Sequence, residues 1–463
     1  MLHMTRSKTH SMLLCIAGCA MVSLLAGSPA PAQTSVQTSK GLAGLDAIYP
    51  TLSTLYIDLH KTPELSLFEE KTSEKMAAQF RKLGYEVTEK IGGYGVVGIL
   101  RNGNGPTVLL RADMDALPVK EQTGAAHAST VTMKNWSGEI VPVMHACGHD
   151  VHMVSLIGAA TLLAQQKDRW HGTLVLIAQP AEEGFSGAKS MVKAGLFDKI
   201  PKPDFCLGIH VDNQLPAGDV GVTPGPAMAA SDAVDITVYG RGGHGSTPHR
   251  TTDPIVIAAR IVDGLQTIVS REVDPQDTAV VTVGTFHAGT KRNIIPDEAK
   301  LELTVRTFKP ETRKQVIDSI KRIAKAEALA GGATREPLID HSPSEGYDVV
   351  TNDPALSERL AGTLRKAIGT DHVKKTEPLM GSEDFGVFGV TVGAPSIQLR
   401  IGATNAALFA DAKSKGRSLL LPGLHSANFL PDQEPTIRTG VTAFTLSVLD
   451  LLAKPETVPD VSK

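Results

Sequence analysis

The chain has little of several features that mark specialised proteins. Of its 463 residues only 4% are aromatic and four are cysteines, and the formal net charge is −3. With 42% hydrophobic and 21% charged residues, the balance is that of an ordinary soluble globular protein, long enough for more than one domain. Nothing in this composition favours nucleic-acid binding, so we expect no nucleic-acid partner.

A long hydrophobic run is found only near the N-terminus. Arg6 and Lys8 precede an apolar run over residues 11–27, and residues 30–32 form a small-residue cleavage site. We expect residues 1–32 to be a signal peptide and not a stable membrane span, which predicts a periplasmic or secreted protein. A lipoprotein signal that is processed at Cys19 remains a minor alternative.

Cysteine is scarce, and two of the four lie in the expected signal peptide. The other two, Cys147 and Cys206, could form a disulfide in an oxidising compartment. We favour a metal-bound Cys147, because His149 is next to it and further metal-ligating side chains follow. Cys206 lies in an apolar run and is expected to be a small buried residue.

Two short segments, residues 144–150 and 180–184, carry the strongest chemical signal. Cys147 and His149 are too close in sequence to share a helix face, but a turn at Gly148 would let both side chains converge. A thiolate with an imidazole favours zinc or a similar ion. The adjacent pair Glu182 and Glu183 can supply a further ligand and a general base, so the two segments predict a two-metal hydrolase.

The order of apolar patterns predicts an α/β fold. Helices are expected over residues 45–59, 66–83 and 152–166, and short apolar strands lie between and after them. This alternation is typical of a mostly parallel sheet with helices on both faces. Functional residues collect at the carboxyl ends of such strands, and the candidates there are Asp113, Asp115, Glu182, Glu183 and His210.

The pattern changes after residue 226. Alternating strands and two amphipathic helices predict an inserted ferredoxin-like α+β domain over residues 227–334. The catalytic domain would then consist of residues 33–226 and 335–463. We expect the inserted domain to act as a lid and dimerisation domain.

Ten short motifs, in order along the chain, resemble one known family. They occupy residues 59–66, 110–118, 144–150, 179–184, 208–210, 240–246, 293–296, 305–308, 381–385 and 424–426. The chain is similar to the dinuclear metallo-amidohydrolases and carboxypeptidases that include aminoacylases. Within that family it resembles the branch of hippurate hydrolases and indole-acetyl-amino-acid hydrolases.

Carried over residue by residue, the resemblance implies a site for two divalent ions (zinc, manganese, cobalt or nickel). Glu182 would be the general base, and the Cys147 thiolate would bridge the two ions. The implied metal ligands are Cys147, His149, Glu183, His210 and His425.

Several nearby residues are expected to support the site. Asp115 would hold a ligand histidine in its correct tautomer. A histidine ligand takes the place of Asp113 in other branches of the family, so Asp113 is assigned only a supporting role. We expect His145 and His152 to pack beside the metal ligands, and His60 to be an ordinary surface or capping residue.

The inserted domain carries the residues that the resemblance assigns to the substrate. His244 would donate to the oxyanion in the active site, often that of a neighbouring subunit. Asn293 and Arg306 would bind the free carboxylate of the substrate, whereas the alternative for Arg306 is a solvated strand residue. A homodimer formed through this domain is therefore expected.

These patterns predict metal-dependent hydrolysis of N-acyl amino acids, with a metal-activated water as nucleophile. A carboxypeptidase acting on short peptides is the nearest alternative, because a dipeptide offers the same amide and carboxylate. A small-ligand binding protein without activity is a second alternative.

Overall fold

The computed structural model describes residues 40–342 and 346–453, so the expected signal peptide lies outside the described residues. Twelve α-helices occur there. They are, in chain order from α1 to α12, Leu45–Lys61, Glu70–Lys82, His149–Gln165, Glu182–Phe185, Gly187–Lys193, Leu196–Lys199, Pro254–Thr267, Pro310–Ala330, Pro354–Ile368, Gly386–Val392, Ala406–Ser414 and Gln433–Leu451.

The same residues form eighteen strands. They are, from β1 to β18, Glu86–Ile91, Gly95–Asn102, Thr107–Asp113, Thr132–Lys134, Ile140–Pro142, Gly172–Gln179, Phe205–Pro216, Val220–Val222, Gly225–Met228, Ala230–Tyr239, Gly243–His244, Ala279–Ala288, Ile294–Ile295, Glu298–Thr307, Leu338–Asp340, Val350–Asn352, Val373–Lys375 and Ser396–Thr404.

The larger sheet has eight strands in the order β1-β2-β6-β3-β7-β18-β8-β17. Its centre is parallel: β3 pairs with β6 and β7, and β18 pairs with β7. Strands β1 and β2 add an antiparallel edge. The mostly parallel α/β sheet predicted from the sequence is confirmed.

Helices cover both faces of this sheet because side chains alternate along each strand. In β3, Val108 and Leu110 face a core shared with α1, α3 and α12, whereas Leu109 belongs to a second core with α5 and α10. Helix α3 is apolar almost all round and is buried along its length, as expected for a helix between the sheet and other helices.

A second, four-stranded sheet has the order β12-β14-β10-β15 and is antiparallel throughout. Side chains from α7 and α8, such as Ile261 and Ile320, share a separate core with Val234 and Leu301 of this sheet. The order and the two helices fit the ferredoxin-like fold that we predicted. The sequence pattern missed its fourth strand, β15, which extends the sheet past residue 334, the predicted domain boundary.

In the described part of the chain, no helix has both the length and the apolar character needed to cross a bilayer.

Candidate active site

A turn at Gly148 brings Cys147 and His149 to the carboxyl edge of the larger sheet. Gly148 has φ 78° and precedes the first residue of α3, His149. A Cβ at this position would lie 2.6 Å from Cγ2 of Val211 on β7, so both the backbone conformation and the close packing require glycine. The thiol and the imidazole are both buried.

A second turn, after β6, presents Glu182 and Glu183. Ala181 adopts the left-handed conformation, with φ 53°, and its N–H donates to Glu69 Oε1 at 2.7 Å. The N–H of Glu183 donates to Asp115 Oδ2 at 2.9 Å. Glu183 and Gly184 have non-helical backbone angles, so this segment is a turn held by side chains rather than a regular helix.

The remaining two histidines reach the same place from β7 and from a loop before α12. The Nε2 atom of His210 lies 3.6 Å from Cys147 Sγ. His425 has φ 64°, and its N–H donates to the carbonyl oxygen of Ala146 at 2.8 Å. Its Nε2 lies 3.1 Å from Glu183 Oε1, so the loop joins the Cys147 turn to the Glu183 turn.

The structure thus brings together all five predicted metal ligands. One set of ligand atoms within 4.8 Å of one another comes from Cys147, His149 and His210, and another comes from Cys147, Glu183 and His425. Cys147 belongs to both sets, which is the arrangement expected of a ligand shared by two ions. Glu182 lies beside them, in a third set with His149 and Glu183.

The donor set fits a pair of metal ions. His149 donates through Nδ1 to the carbonyl oxygen of Asp115 at 2.7 Å, so its Nε2 carries the free lone pair. That nitrogen is buried and has no hydrogen-bond partner among the described residues. His210 likewise donates through Nδ1 to the carbonyl oxygen of Val211, and its Nε2 lies near Cys147 Sγ. Both tautomers suit metal binding.

The electrostatics also favour bound cations. Burial and the nearby carboxylates of Glu383 and Glu183 raise the pKa of Glu182 well above its ordinary range. Burial and Glu183 raise the pKa of the Cys147 thiol in the same way. Burial acts to lower the pKa of His149, but the charge of Asp113 and the hydrogen bond of Asp115 raise it to about 10, so Nε2 attracts either a proton or, in its place, a metal ion. These three pKa shifts are the ones expected where several acidic groups crowd together, and a bound cation would oppose each of them.

A buried arginine beneath the site was not predicted. Arg111, on β3, is fully buried and donates to Asp113 Oδ2 at 2.7 Å, to Glu383 Oε1 at 2.9 Å and to Asp384 Oδ1 at 3.1 Å. It also donates to Gln179 at 2.8 Å. Arg111, Gln179 and Glu383 each lie in one of the family-like motifs, at residues 110–118, 179–184 and 381–385, but nothing in the sequence shows that they contact one another.

The supporting residues differ in detail from their predicted roles. Asp115 contacts His149 mainly through its main-chain carbonyl, since its carboxylate oxygen Oδ1 is 3.4 Å from Nδ1. Asp113 accepts from His152 Nδ1 at 2.6 Å, and His152 Nε2 accepts from the N–H of Val211 at 2.9 Å. Both nitrogens of His152 are therefore occupied within the protein, as a packing role requires. His145 is also buried.

The expectation for His60 was wrong. This residue is 1% exposed, and its ring nitrogens lie 2.6 Å from Asp150 Oδ2 and 3.2 Å from Glu121 Oε1. The three side chains form a buried ionic cluster behind the Cys147 turn. A histidine in a polar sequence context gives no sign of partners 61 and 90 positions away.

The predicted substrate-binding residues lie on the second sheet or its loops. His244 and Asn293 are exposed, and the Nδ1 atom of His244 accepts from Ser246 at 2.7 Å. Among the described hydrogen bonds and ion pairs, none joins these two residues to the five metal ligands. Arg306 is half-buried and donates to Ser382 at 2.7 Å, next to Glu383. Of these three residues, Arg306 is the one with a described hydrogen bond to a residue beside the active site.

Comparison with known proteins agrees with this geometry. The family model for peptidase family M20/M25/M40 matches residues 109–414. A thermostable carboxypeptidase of Saccharolobus solfataricus is 39% identical over 392 residues, which cover 84% of this chain and 92% of the relative. A hippurate hydrolase of Campylobacter jejuni is 41% identical over 335 residues, with 71% and 82% covered.

A solved structure gives the same result. The crystal structure of a dinuclear metal-binding peptidase of the M20 family from Bacillus subtilis has a TM-score of 0.71 at 30% identity, and the match covers 88% of this chain and 99% of that one. The sequence motifs, the two turns of metal-ligating residues and these likenesses agree. The chain belongs to peptidase family M20/M25/M40 and is a metal-dependent amidohydrolase.

Proposed function

We propose that the protein hydrolyses the amide bond of N-acyl amino acids whose amino-acid half keeps a free carboxylate, as in hippurate-like conjugates. The observation that carries this proposal is the convergence of five metal-ligating side chains beside the buried carboxylate of Glu182. The likeness to a hippurate hydrolase supports the substrate class.

Glu182 acts as the general base in this proposal. Two divalent ions held by Cys147, His149, Glu183, His210 and His425 would, when bound, activate a water and polarise the scissile carbonyl. Glu182 is free to take the proton of the attacking water, because it belongs to the cluster but is not one of the five ligands. It would then pass that proton to the leaving nitrogen. No covalent intermediate is needed.

The substrate's carboxylate would be bound by the second sheet. Arg306 offers a planar guanidinium beside the active site, and Asn293 is a further polar donor. His244 is exposed, and its described hydrogen bonds do not reach the metal ligands of its own chain, so we propose that it serves the site of a second copy. In that copy it would donate to the oxyanion. This role makes a homodimer through the second sheet part of the proposal.

A carboxypeptidase that cleaves short peptides is the second candidate. The relative from Saccharolobus solfataricus named as a carboxypeptidase supports it, at 39% identity over most of both chains. Both reactions would use the same base, metals and carboxylate-binding residues. The two reactions would differ in the residues that bind the group on the acyl side of the scissile bond.

We also propose that the protein acts in the periplasm or outside the cell, on the strength of the apolar run and cleavage site in residues 1–32. The metal pair is proposed to be zinc, manganese, cobalt or nickel, because a thiolate and three imidazoles suit first-row ions.

A substrate panel tests the proposed function. Purified protein is stripped with a chelator, reloaded with each of the four metals, and assayed for amino-acid release from N-acetyl, N-benzoyl and dipeptide substrates. We expect metal-dependent turnover that is faster on N-acyl amino acids than on dipeptides. Faster turnover of dipeptides would favour the carboxypeptidase, and metal-loaded protein that cleaves none of the substrates would contradict the proposed substrate class.

A further inference from the structure

Tyr347 holds the turn that carries the proposed base and its neighbouring metal ligand. Its hydroxyl donates to the carbonyl oxygen of Glu182 at 2.7 Å and accepts from the N–H of Gly184 at 2.8 Å. The side chain is 9% exposed. One phenol thus joins the main-chain atoms on either side of Glu183.

This turn depends on such contacts because it lacks regular helical geometry. Glu183 has φ −72° and ψ 81°, and Gly184 has φ 90°. Its N–H groups instead donate to side chains from other parts of the chain. The N–H of Ala181 donates to Glu69, and the N–H of Glu183 donates to Asp115. Tyr347 provides the third such contact, and it is the one that reaches the carbonyl of Glu182.

Tyr347 is also hydrogen-bonded to the second sheet, through an isolated bridge to Ser231 of β10. Its N–H donates to the carbonyl oxygen of Ser231 at 2.9 Å, and it accepts from the N–H of Ser231 at 3.0 Å. Ser231 in turn lies opposite Arg306 in the pairing of β10 with β14. Tyr347, Ser231 and Arg306 are therefore adjacent on three neighbouring segments.

We propose that Tyr347 is a positioning residue that ties the Glu182–Glu183 turn to the second sheet. A displacement of that sheet when Arg306 binds a carboxylate would be transmitted to the turn through Ser231 and the Tyr347 hydroxyl. The role in turnover rests on the proposed function, whereas the role in holding the metal ligand Glu183 does not.

The test is Tyr347→Phe, which removes only the hydroxyl. Its matched control is Tyr85→Phe, because the Tyr85 hydroxyl is also buried and also donates to a main-chain carbonyl, that of Ala160 at 3.2 Å, away from the metal ligands. Metal affinity is measured first, by competition with a chromogenic zinc chelator. We expect Tyr347→Phe to bind zinc about tenfold more weakly, as removal of a residue that orients a ligand usually does, and Tyr85→Phe to match the wild type.

Turnover provides the second readout. With metal saturating, we expect kcat to fall about tenfold for Tyr347→Phe while KM changes less than about twofold, because the base is displaced and the carboxylate-binding residues are intact. If the wild-type protein cleaves no substrate, the proposed function is wrong. The zinc measurement would still decide whether Tyr347 positions Glu183. Zinc affinity equal to that of the wild type would overturn the positioning role.

A double-mutant cycle tests the link to the second sheet. Arg306→Lys is measured alone and together with Tyr347→Phe. If the two residues act through one connection, the combined loss in kcat/KM is smaller than the product of the single losses. A combined loss equal to that product would show that they act independently and would remove the link.

Discussion

The buried cluster of His60 with Asp150 and Glu121 is expected to make a pH-dependent contribution to stability. Burial alone would lower the pKa of His60, but the hydrogen bonds and charges of Asp150 and Glu121 raise it to about 10. A rise from the ordinary histidine value of 6.5 corresponds, at about 1.4 kcal/mol per pH unit, to about 5 kcal/mol of stabilisation. Such a contribution is a large fraction of a typical folding free energy.

The sign follows from the direction of the shift. Because the folded state binds the proton more tightly, the contribution is fully present below pH 6.5 and is lost as the pH rises from 6.5 through about 10. The assay is urea unfolding of wild type and His60→Gln between pH 6 and pH 10.5. We expect the difference in the free energy of unfolding between wild type and variant to be about 5 kcal/mol larger at pH 6 than at pH 10.5.

The control is His171→Gln, since the ring of His171 bonds the carbonyl oxygen of Leu452 and has no carboxylate partner in the described ranges. The difference in the free energy of unfolding between His171→Gln and the wild type should not change with pH in the same way. A difference between wild type and His60→Gln that stays constant across this range would refute the assignment of a charged His60.

Three further predictions concern the active site. Arg111→Met should lower the free energy of unfolding by about 3 to 5 kcal/mol in urea, because it leaves buried carboxylates without their cation; an unchanged midpoint would contradict this. Cys147→Ser should bind zinc more weakly in chelator competition, since a hydroxyl is a poorer zinc ligand than a thiolate; equal affinity would remove Cys147 from the ligands. Trp136 is 52% exposed and packs edge-on against Phe185, two residues after Glu183, so we predict that it contacts an aromatic acyl group. Trp136→Ala should then raise KM for N-benzoyl more than for N-acetyl substrates, whereas the control Ile140→Ala on the same hairpin should not; equal effects of both variants would contradict the contact.

The position of the candidate site could be predicted from the sequence because the fold places strand ends together. Asp113, Glu182 and His210 come from β3, from the turn after β6 and from β7, which are neighbours in the sheet. The carboxyl ends of parallel strands meet at one edge, so residues there converge whatever their separation in the chain. The turn at Gly148 was also predictable. Cys147 and His149 flank this glycine, and their side chains converge only if the chain turns there.

Other features depend on contacts that a local pattern does not contain. The second helix was predicted from residue 66 but begins at Glu70, because Leu67 adopts φ 70° and its N–H donates to Glu69 Oε1. Strand β15 has three residues, which are too few to show the alternation of apolar and polar residues that marks a strand. Arg111 lies in an apolar strand, and its partner Glu383 is 272 positions away.

The proposed role of Glu182 as the base beside a two-metal centre can be tested in Glu182→Gln, a substitution that keeps the size of the side chain. Bound metal and turnover are measured together in this variant. We predict that the variant binds two metal ions per chain, as the wild type does, but loses between about 100-fold and 10,000-fold in kcat on N-acyl amino acids. Near-normal turnover with both ions bound would show that Glu182 is not the base.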